Sequence, residues 1–260
     1  MLRLGVIQYL NSLPLVYALQ QGVIPLEAEI STGIPSSLNH KLRVGELDAA
    51  YISTAEYLAH SAEYARLANL CIGAHEEVLS VCLFAKLPIQ NLNGRAIALT
   101  GSSATSRLLL QILCHHFWHI TPAFKELDQN ETSDDWDGVL LIGDQCLHYL
   151  GTHNYYCTDL AQAWYQYTSL PFVFGLPAVR REVLESNPKK IQKLAQNLYE
   201  SLEWAQQRQE QIVDFAHSQS RLPKKLLRHY YNSLRFRLDE SMNRGLNKFS
   251  QLSAELAAHI

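Results

Sequence analysis

The sequence predicts an α/β chain of two lobes, with a ligand cleft between the lobes and helices at the C-terminal end. Three observations predict it. Over roughly the first 85 residues, short apolar strands alternate with amphipathic helices, the pattern of a helix-covered, largely parallel sheet. Next, Leu87-Pro88-Ile89-Gln90-Asn91-Leu92-Asn93-Gly94 reads as a turn-rich crossing into a second α/β unit. Last, the strand-like Leu170-Pro171-Phe172-Val173-Phe174-Gly175-Leu176 carries the chain back, and the remainder is helical. Lobe 1 is therefore expected over residues 1–85 plus 173–260, and lobe 2 over 86–172. Two lobes with two crossings imply a cleft, and such clefts commonly close by hinge motion around a ligand.

In order, strand Leu2 to Tyr9 runs into Leu10-Asn11-Ser12-Leu13-Pro14. A strand from about Leu26 to Ser31 runs into Gly33-Ile34-Pro35-Ser36-Ser37 and an amphipathic turn carrying Leu38 and Leu42. The strand Leu47 to Ile52 runs into Ser53-Thr54-Ala55-Glu56, a capping-box pattern with the hydroxyl at the N-cap and a carboxylate three residues on. Lobe 1 then closes on the strand Ser80 to Ala85. In lobe 2, Arg95 to Leu99 alternates as a strand, and Thr100-Gly101-Ser102-Ser103-Ala104-Thr105-Ser106 opens a helix over 105–117. Strands follow near 123–127 and at Gly138 to Gly143, the latter preceded by Trp136-Asp137 and closed by Asp144, and 159–168 reads as a helix.

Asn187-Pro188 is an N-cap with proline at the first helical position. One apolar face (Ile191, Leu194, Ala195, Leu198, Leu202, Ala205, Ile212, Phe215) then marks a single long helix. After Pro223, the basic run Lys224, Lys225, Arg228, Arg235 and Arg237 lies opposite an apolar helical face of Leu226, Leu227, Tyr230, Tyr231 and Leu234. The last helix carries Met242, Leu246, Phe249, Leu252, Leu256 and Ile260.

Four strand ends thus run into turns rich in hydroxyls or amides. The first N–H groups of a helix lack internal partners, and the helix dipole favours negative charge there. One such turn is an ordinary helix cap. Four at the carboxyl ends of strands make a polar, mostly uncharged cup for a small polar ligand, with carboxylate or phosphate the fitting group.

Other classes are excluded. Net charge is −3 in 260 residues, so no global field draws the chain to nucleic acid or to an anionic membrane. No apolar run reaches transmembrane length, and Met1 leads straight into a strand without a secretory pattern. Five cysteines, Cys71, Cys82, Cys114, Cys146 and Cys157, are odd in number and form no CxxC, as expected of free thiols in a reducing, cytoplasmic setting. His115 and His119 stand at helical i, i+4 spacing, but without the HExxH glutamate and at a helix tail, so no metal is expected. No GxGxxG, Walker A or GxSxG pattern occurs, and no cofactor is expected. The cup holds few groups that titrate near neutrality; Asp144 is its one carboxylate. An enzyme built this way has no dedicated general base. The exposed face of the C-terminal helices is compatible with an oligomer.

The residues resemble a known family. The segments Gly5-Val6-Ile7-x-Tyr9-Leu10-Asn11-Ser12-Leu13-Pro14-Leu15, Gly33-Ile34-Pro35-Ser36-Ser37-Leu38-Asn39 and Gly45-Glu46-Leu47-Asp48-Ala49-Ala50, with Ser53 and Glu56-Tyr57, are similar to the menaquinone-pathway chorismate dehydratases. The likeness continues through Ser80-Val81-x-Leu83-Phe84, Ala98-Leu99-Thr100-x-x-Ser103-Ala104-Thr105-Ser106 and Leu141-Ile142-Gly143-Asp144, and ends near Leu170-Pro171-Phe172-Val173-Phe174. It spans roughly the first 180 residues; the C-terminal helices match only in general character.

The resemblance implies a periplasmic-binding-protein-like (type II) fold used as a cytoplasmic enzyme that removes water from chorismate. The product is 3-[(1-carboxyvinyl)oxy]benzoate, on the futalosine route to menaquinone, and aromatisation drives the reaction. It implies Asn11 as the critical side chain, positioning the substrate and donating a hydrogen bond, since a neutral amide is no base. A substrate carboxylate would take the proton. Ser36, Ser53, Ser80, Ser103, Ala104, Thr105 and Asp144 would line the substrate site. No arginine is clearly placed for a bidentate carboxylate clamp, although Arg107 adjoins the hydroxyl turn.

Two other readings stand beside this one. The sister enzyme that forms 1,4-dihydroxy-6-naphthoate suits a histidine base, where this chain carries Asp144 with His148 a turn further on. A non-catalytic binding protein for a small carboxylate shares the cup but calls for an export signal or an output domain.

Overall fold

The computed structural model of the chain describes residues 1–99, 103–126, 136–151 and 154–258. Thr100, Gly101 and Ser102 of the hydroxyl run, Leu127 of the strand expected near 123–127, and Ile260 lie outside the described residues. The chain opens with β1 (Leu2–Ile7), α1 (Leu13–Gln20), β2 (Ala28–Gly33), α2 (Pro35–Arg43), β3 (Ala49–Ser53), α3 (Thr54–Ala59), β4 (Tyr64–Arg66) and β5 (Leu70–Ala74). It continues through β6 (Val81–Ala85), β7 (Ala96–Leu99), α4 (Ala104–Ile112), β8 (Ala123–Glu126), β9 (Gly138–Ile142), α5 (Gly143–Tyr149), β10 (Tyr156–Asp159) and α6 (Leu160–Thr168). The remainder is β11 (Phe172–Arg180), α7 (Arg181–Ser186), α8 (Pro188–Gln207), α9 (Gln209–Ser220), α10 (Lys224–Ser233), β12 (Leu234–Arg237) and α11 (Glu240–Ala257).

Two compact units divide these elements. The first comprises Met1–Gly73 and Val173–Asp239, the second Ala74–Phe172 and Glu240–Ile260. In the first, seven strands form one sheet in the order β12-β5-β11-β3-β1-β2, with β4 paired to β11. β1 runs parallel to both β2 and β3, which explains why β3 is an unbroken buried run rather than an alternating one: it is covered on both faces. Gly5 allows the close cover, because a Cβ there would sit 2.6 Å from Leu47 and 3.0 Å from Leu38. In the second unit, five strands run in the order β10-β6-β9-β7-β8, with β6 antiparallel to its neighbours and β7 parallel to β8 and β9.

The unit boundaries correct the expected lobes at two places. β6 pairs with β9 and β10, so the change of unit falls before it, at residues 73/74 rather than after 85. The final helix belongs to the second unit and not to the first. Phe249 on α11 meets Phe172 edge-on at 5.0 Å and Trp164 at 6.3 Å, and Gly245 lets Pro171 O approach where any Cβ would lie 2.0 Å from it. The chain therefore changes unit three times rather than twice.

Four local expectations also change. The long helix from Pro188 is two, α8 and α9, broken where Arg208 adopts φ −132° and ψ 42°. Asn187 precedes α8 but makes no side-chain cap, while Pro188 does take the first helical position. The basic stretch stops being helical at Ser233, and Leu234 to Arg237 forms β12, with Leu234 and Phe236 inward and the arginines outward. The helix expected over 105–117 is α4 followed by a π-helical turn, Leu113–Trp118, and His119 lies beyond it in the left-handed region, off the face that carries His115. Among the described residues, no helix is long and apolar enough to cross a membrane.

Candidate active site

Sheet topology gathers the expected residues within each unit. Because β1, β2 and β3 are parallel, their carboxyl ends fall on one side of the first sheet, and these ends lead to Asn11, Ser36 and Ser53. In the second sheet the same holds for β7 and β9, while the antiparallel β6 begins at that end, with Val81 opposite Ile142. Ser80, Ser103 and Asp144 thereby belong to one end of the second sheet, with Ala104 and Thr105 opening α4 after Ser103.

Asn11 sits in a single 3-10 turn, Leu10–Ser12, between β1 and α1. The turn is tied down on both sides. Ser12 Oγ donates to Ile7 O at 2.6 Å and to Tyr9 O at 2.9 Å, and Tyr231 Oη donates to Leu10 O at 3.1 Å. Against this fixed backbone, Asn11 Oδ1 is buried and, among the described residues, has no hydrogen-bond partner. A buried acceptor left unmatched costs about 1–3 kcal/mol.

Ser53 caps α3, and its Oγ accepts the Glu56 N–H at 3.3 Å, as the capping-box pattern requires. The reciprocal half of the box is absent. Ser53 N–H goes instead to Asn39 Oδ1 at 3.1 Å, and Asn39 Nδ2 donates to Ser53 Oγ at 2.9 Å. The Glu56 carboxylate is spent on Arg43, which donates to both oxygens at 2.6 and 3.0 Å, and on the Tyr64 hydroxyl at 3.1 Å. Burial and the Glu56 charge push the Tyr64 hydroxyl far above its usual range. Thr54 Oγ1 donates to Val173 O at 2.7 Å, fixing the start of β11 at the same sheet end. Ser36 is half-buried in the first turn of α2, which has Pro35 at its first position and no side-chain cap.

In the second unit, Ser80 follows a strained residue. Leu79 has φ 61°, in the left-handed region that a leucine rarely enters. Asp159 holds it there. This buried carboxylate accepts Val78 N–H at 2.9 Å and Leu79 N–H at 2.7 Å on one oxygen, and the Ala161 and Gln162 N–H groups at 2.9 and 3.1 Å on the other. Burial raises the Asp159 carboxyl above its usual value, and the four N–H groups offset only part of that rise. Leu79 O accepts the thiols of Cys146 at 3.3 Å and Cys82 at 3.6 Å. Ser80 O accepts Gly143 N–H at 2.7 Å, joining the starts of β6 and α5. Ser103 caps α4, its Oγ accepting Ser106 N–H at 3.3 Å and Ser106 Oγ–H at 3.1 Å. Ala104 is exposed, Thr105 fully buried, and Asp144 half-buried in the first turn of α5.

Among the described residues, Arg43 is paired with Glu56 and Arg107 with Glu126. An anion held at these strand ends would rely on O–H, N–H and amide donors. Burial pushes the Cys114 thiol up to about 12 and raises that of Cys71, while the Cys82 thiol is raised by a hydrogen bond with Cys146 and by burial, so none of these three is disposed to thiolate chemistry. Asn39, Asp159, Leu79 and Tyr231 were not foreseen as part of this arrangement. Asp159 had a readable signal, the Asp-x-x-Gln spacing before a helix.

Comparison with known proteins then decides the family. A family model described as menaquinone biosynthesis matches residues 2–255. The chain belongs to this menaquinone-biosynthesis family. A chorismate dehydratase of Thermus thermophilus is 31% identical to this family member, across 95% of the chain and 93% of that protein. A chorismate dehydratase of Campylobacter jejuni is 32% identical, across 71% of the chain and 73% of that protein. Among solved structures, a protein from Archaeoglobus fulgidus superposes with a TM-score of 0.78 at 23% identity, covering 99% of this chain and 98% of that one. The alkanesulfonate-binding protein of Xanthomonas axonopodis pv. citri does so at 0.69 and 15% identity, covering 98% and 93%. The fold of this family member is thus that of the periplasmic binding proteins.

Proposed function

We propose that the protein is a chorismate dehydratase, a lyase that removes water from chorismate to give 3-[(1-carboxyvinyl)oxy]benzoate for menaquinone. The observation that carries this reading is the nearly end-to-end match to the Thermus thermophilus chorismate dehydratase. A cytoplasmic setting goes with it, supported by five cysteines that are all free thiols.

The chemistry suits a site of neutral donors. At neutral pH chorismate is a dianion whose only hydrogen-bond donor is its ring hydroxyl, the group that leaves. Asn11 Oδ1 is a buried acceptor without a partner among the described residues, so the two complement each other. Asn11 orients the hydroxyl so that its C–O bond aligns with the ring π system, a positioning contribution. The C–H electron pair of the neighbouring carbon becomes a ring π bond. The C–O pair departs with hydroxide, which ends as water with the released proton. A carboxylate of the substrate carries that proton, so no protein base is required. The candidates for donors to the carboxylates are the hydroxyls of Ser36, Ser53, Ser80, Ser103 and Thr105 and the opening of α4 at Ala104. Asp144, as an anion, repels them and so favours one orientation of the substrate.

Purified protein mixed with chorismate alone, and followed by chromatography with mass detection, tests the reading. A product lighter by one water is the expected result. Unchanged chorismate overturns it.

A further inference from the structure

Two hydroxyls at the first unit's strand ends spend their proton on the protein. Ser12 gives it to Ile7 O and Thr54 to Val173 O. Ser53 does not. A serine hydroxyl has two lone pairs and one O–H. Asn39 Nδ2, at 2.9 Å, and Glu56 N–H, at 3.3 Å, take both lone pairs, and neither group can reverse its role, because an amide nitrogen only donates. Among the described residues no acceptor meets the Ser53 O–H, although Ser53 is 3% exposed and Asn39 4%. The cap alone would fill one lone pair and leave the hydroxyl free to act as acceptor or donor. Asn39 removes that choice.

We infer that Asn39 is a positioning residue that makes Ser53 an obligate hydrogen-bond donor, so that the ligand atom met there is an acceptor, a carboxylate oxygen. In the second unit Ser103 Oγ also accepts a cap N–H, from Ser106, but its other neighbour is the Ser106 hydroxyl, which can donate or accept, so nothing there forces Ser103 to be a donor. The identity of residue 39 follows from this role. An aspartate would keep the size and still accept the Ser53 N–H, but it would also accept the Ser53 O–H and turn the proton away from the ligand. The inference rests on the chorismate reading for its substrate.

The test is a double-mutant cycle of Asn39→Asp and Ser53→Ala, read as steady-state chorismate dehydration. Losing a hydrogen bond to a charged group corresponds to about tenfold to a hundredfold. A bond made equally in the ground and transition states appears in KM, with kcat within about twofold. Ser53→Ala is expected to raise KM by that factor, Asn39→Asp to raise it similarly, and the double variant to be no worse than Ser53→Ala. Independent effects that multiply in the double variant overturn the inference, since charge repulsion or a purely structural loss at residue 39 would persist without the hydroxyl. If Asn39→Asp does not fold, Ser53→Ala alone carries the test, and a KM within about twofold of wild type overturns the inference. Wild-type protein that leaves chorismate unchanged overturns the functional reading, and this inference with it. Wild-type turnover with multiplying effects overturns this inference alone.

Discussion

Replacing Asp159 with asparagine keeps the shape of the side chain and takes away half of its acceptors. The carboxylate now accepts four backbone N–H groups, two on each oxygen. In the asparagine variant one oxygen remains, and the new NH2 group confronts two N–H donors. Two charge-assisted bonds are lost, at about 1.5–3 kcal/mol each. Part of this is recovered, because burial already raises the Asp159 carboxyl and the neutral variant escapes that cost. We expect a net loss of about 3 kcal/mol, or roughly 6–12 °C in Tm for a chain of this size. The orientation of the amide decides which pair suffers, and the pair at Val78 and Leu79 is the weaker, because it restrains a left-handed leucine that costs about 1–2 kcal/mol to hold. Freed from it, Leu79 relaxes and Ser80 shifts, so kcat/KM for chorismate falls even where the protein stays folded. Urea denaturation with parallel kinetics measures both effects. A stability loss below about 1 kcal/mol with unchanged kinetics would refute the reasoning. Adding Leu79→Gly should restore about 1 kcal/mol, since glycine enters the left-handed region without strain.

Asn11→Asp keeps the acceptor oxygen but puts a negative charge beside a dianion and is expected to lower kcat/KM by about a hundredfold to a thousandfold, on the scale of a disrupted electrostatic contact at the reacting group; an undiminished rate in the dehydration assay would contradict the role given to Asn11. Gly245→Ala forces a Cβ to within 2.0 Å of Pro171 O and is expected to cost about 2–3 kcal/mol despite alanine's better helix propensity, so a raised Tm would count against the packing described. Asp48 is pushed up by burial but is held below its ordinary value near 3.8 by hydrogen bonds from Arg3 and Arg180. A depressed carboxyl contributes stability above its unfolded value and loses it as the pH falls through the folded one. Asp48→Asn should therefore cost about 1 kcal/mol at pH 7, discounted because Arg3 is partly exposed, and progressively less below pH 4, as read by denaturation at each pH.

The strand ends were legible because apolar runs give way to polar turns near Asn11, Ser36, Ser53 and Ser103, and one starts as abruptly after Ser80, and such punctuation depends on neighbours in sequence. What acts on those ends was not. Asn39 reaches Ser53 across 14 residues and Asp159 reaches Val78 across 81, distances that only strand register closes. The break at Arg208 was hidden because no glycine or proline marks it, and Ile212 and Phe215 resume an apolar face beyond it. The opposite error befell β12. Leu234, Phe236 and Leu238 alternate with Arg235 and Arg237 at period two, but the apolar face of α10 runs on into Leu234 and carried the helical reading too far. At residues 73/74, β5 and β6 are equally apolar and fully buried, so composition does not tell which sheet each one joins.

The three changes of unit impose an order on synthesis. β3 leaves the ribosome roughly ten seconds before β11, the strand that must lie against it, at usual elongation rates. Until then the parallel strands of the first unit have an open edge. Most of the second unit, Ala74–Phe172, is made in that interval, yet its aromatic centre stays unsealed until Phe249 arrives on α11. Neither unit is a continuous piece of chain, so no single cut in the gene releases either one whole. A nascent chain stopped short of α11 would hold a first unit ready to close and a second with Trp164 and Phe172 uncovered, a natural target for chaperones.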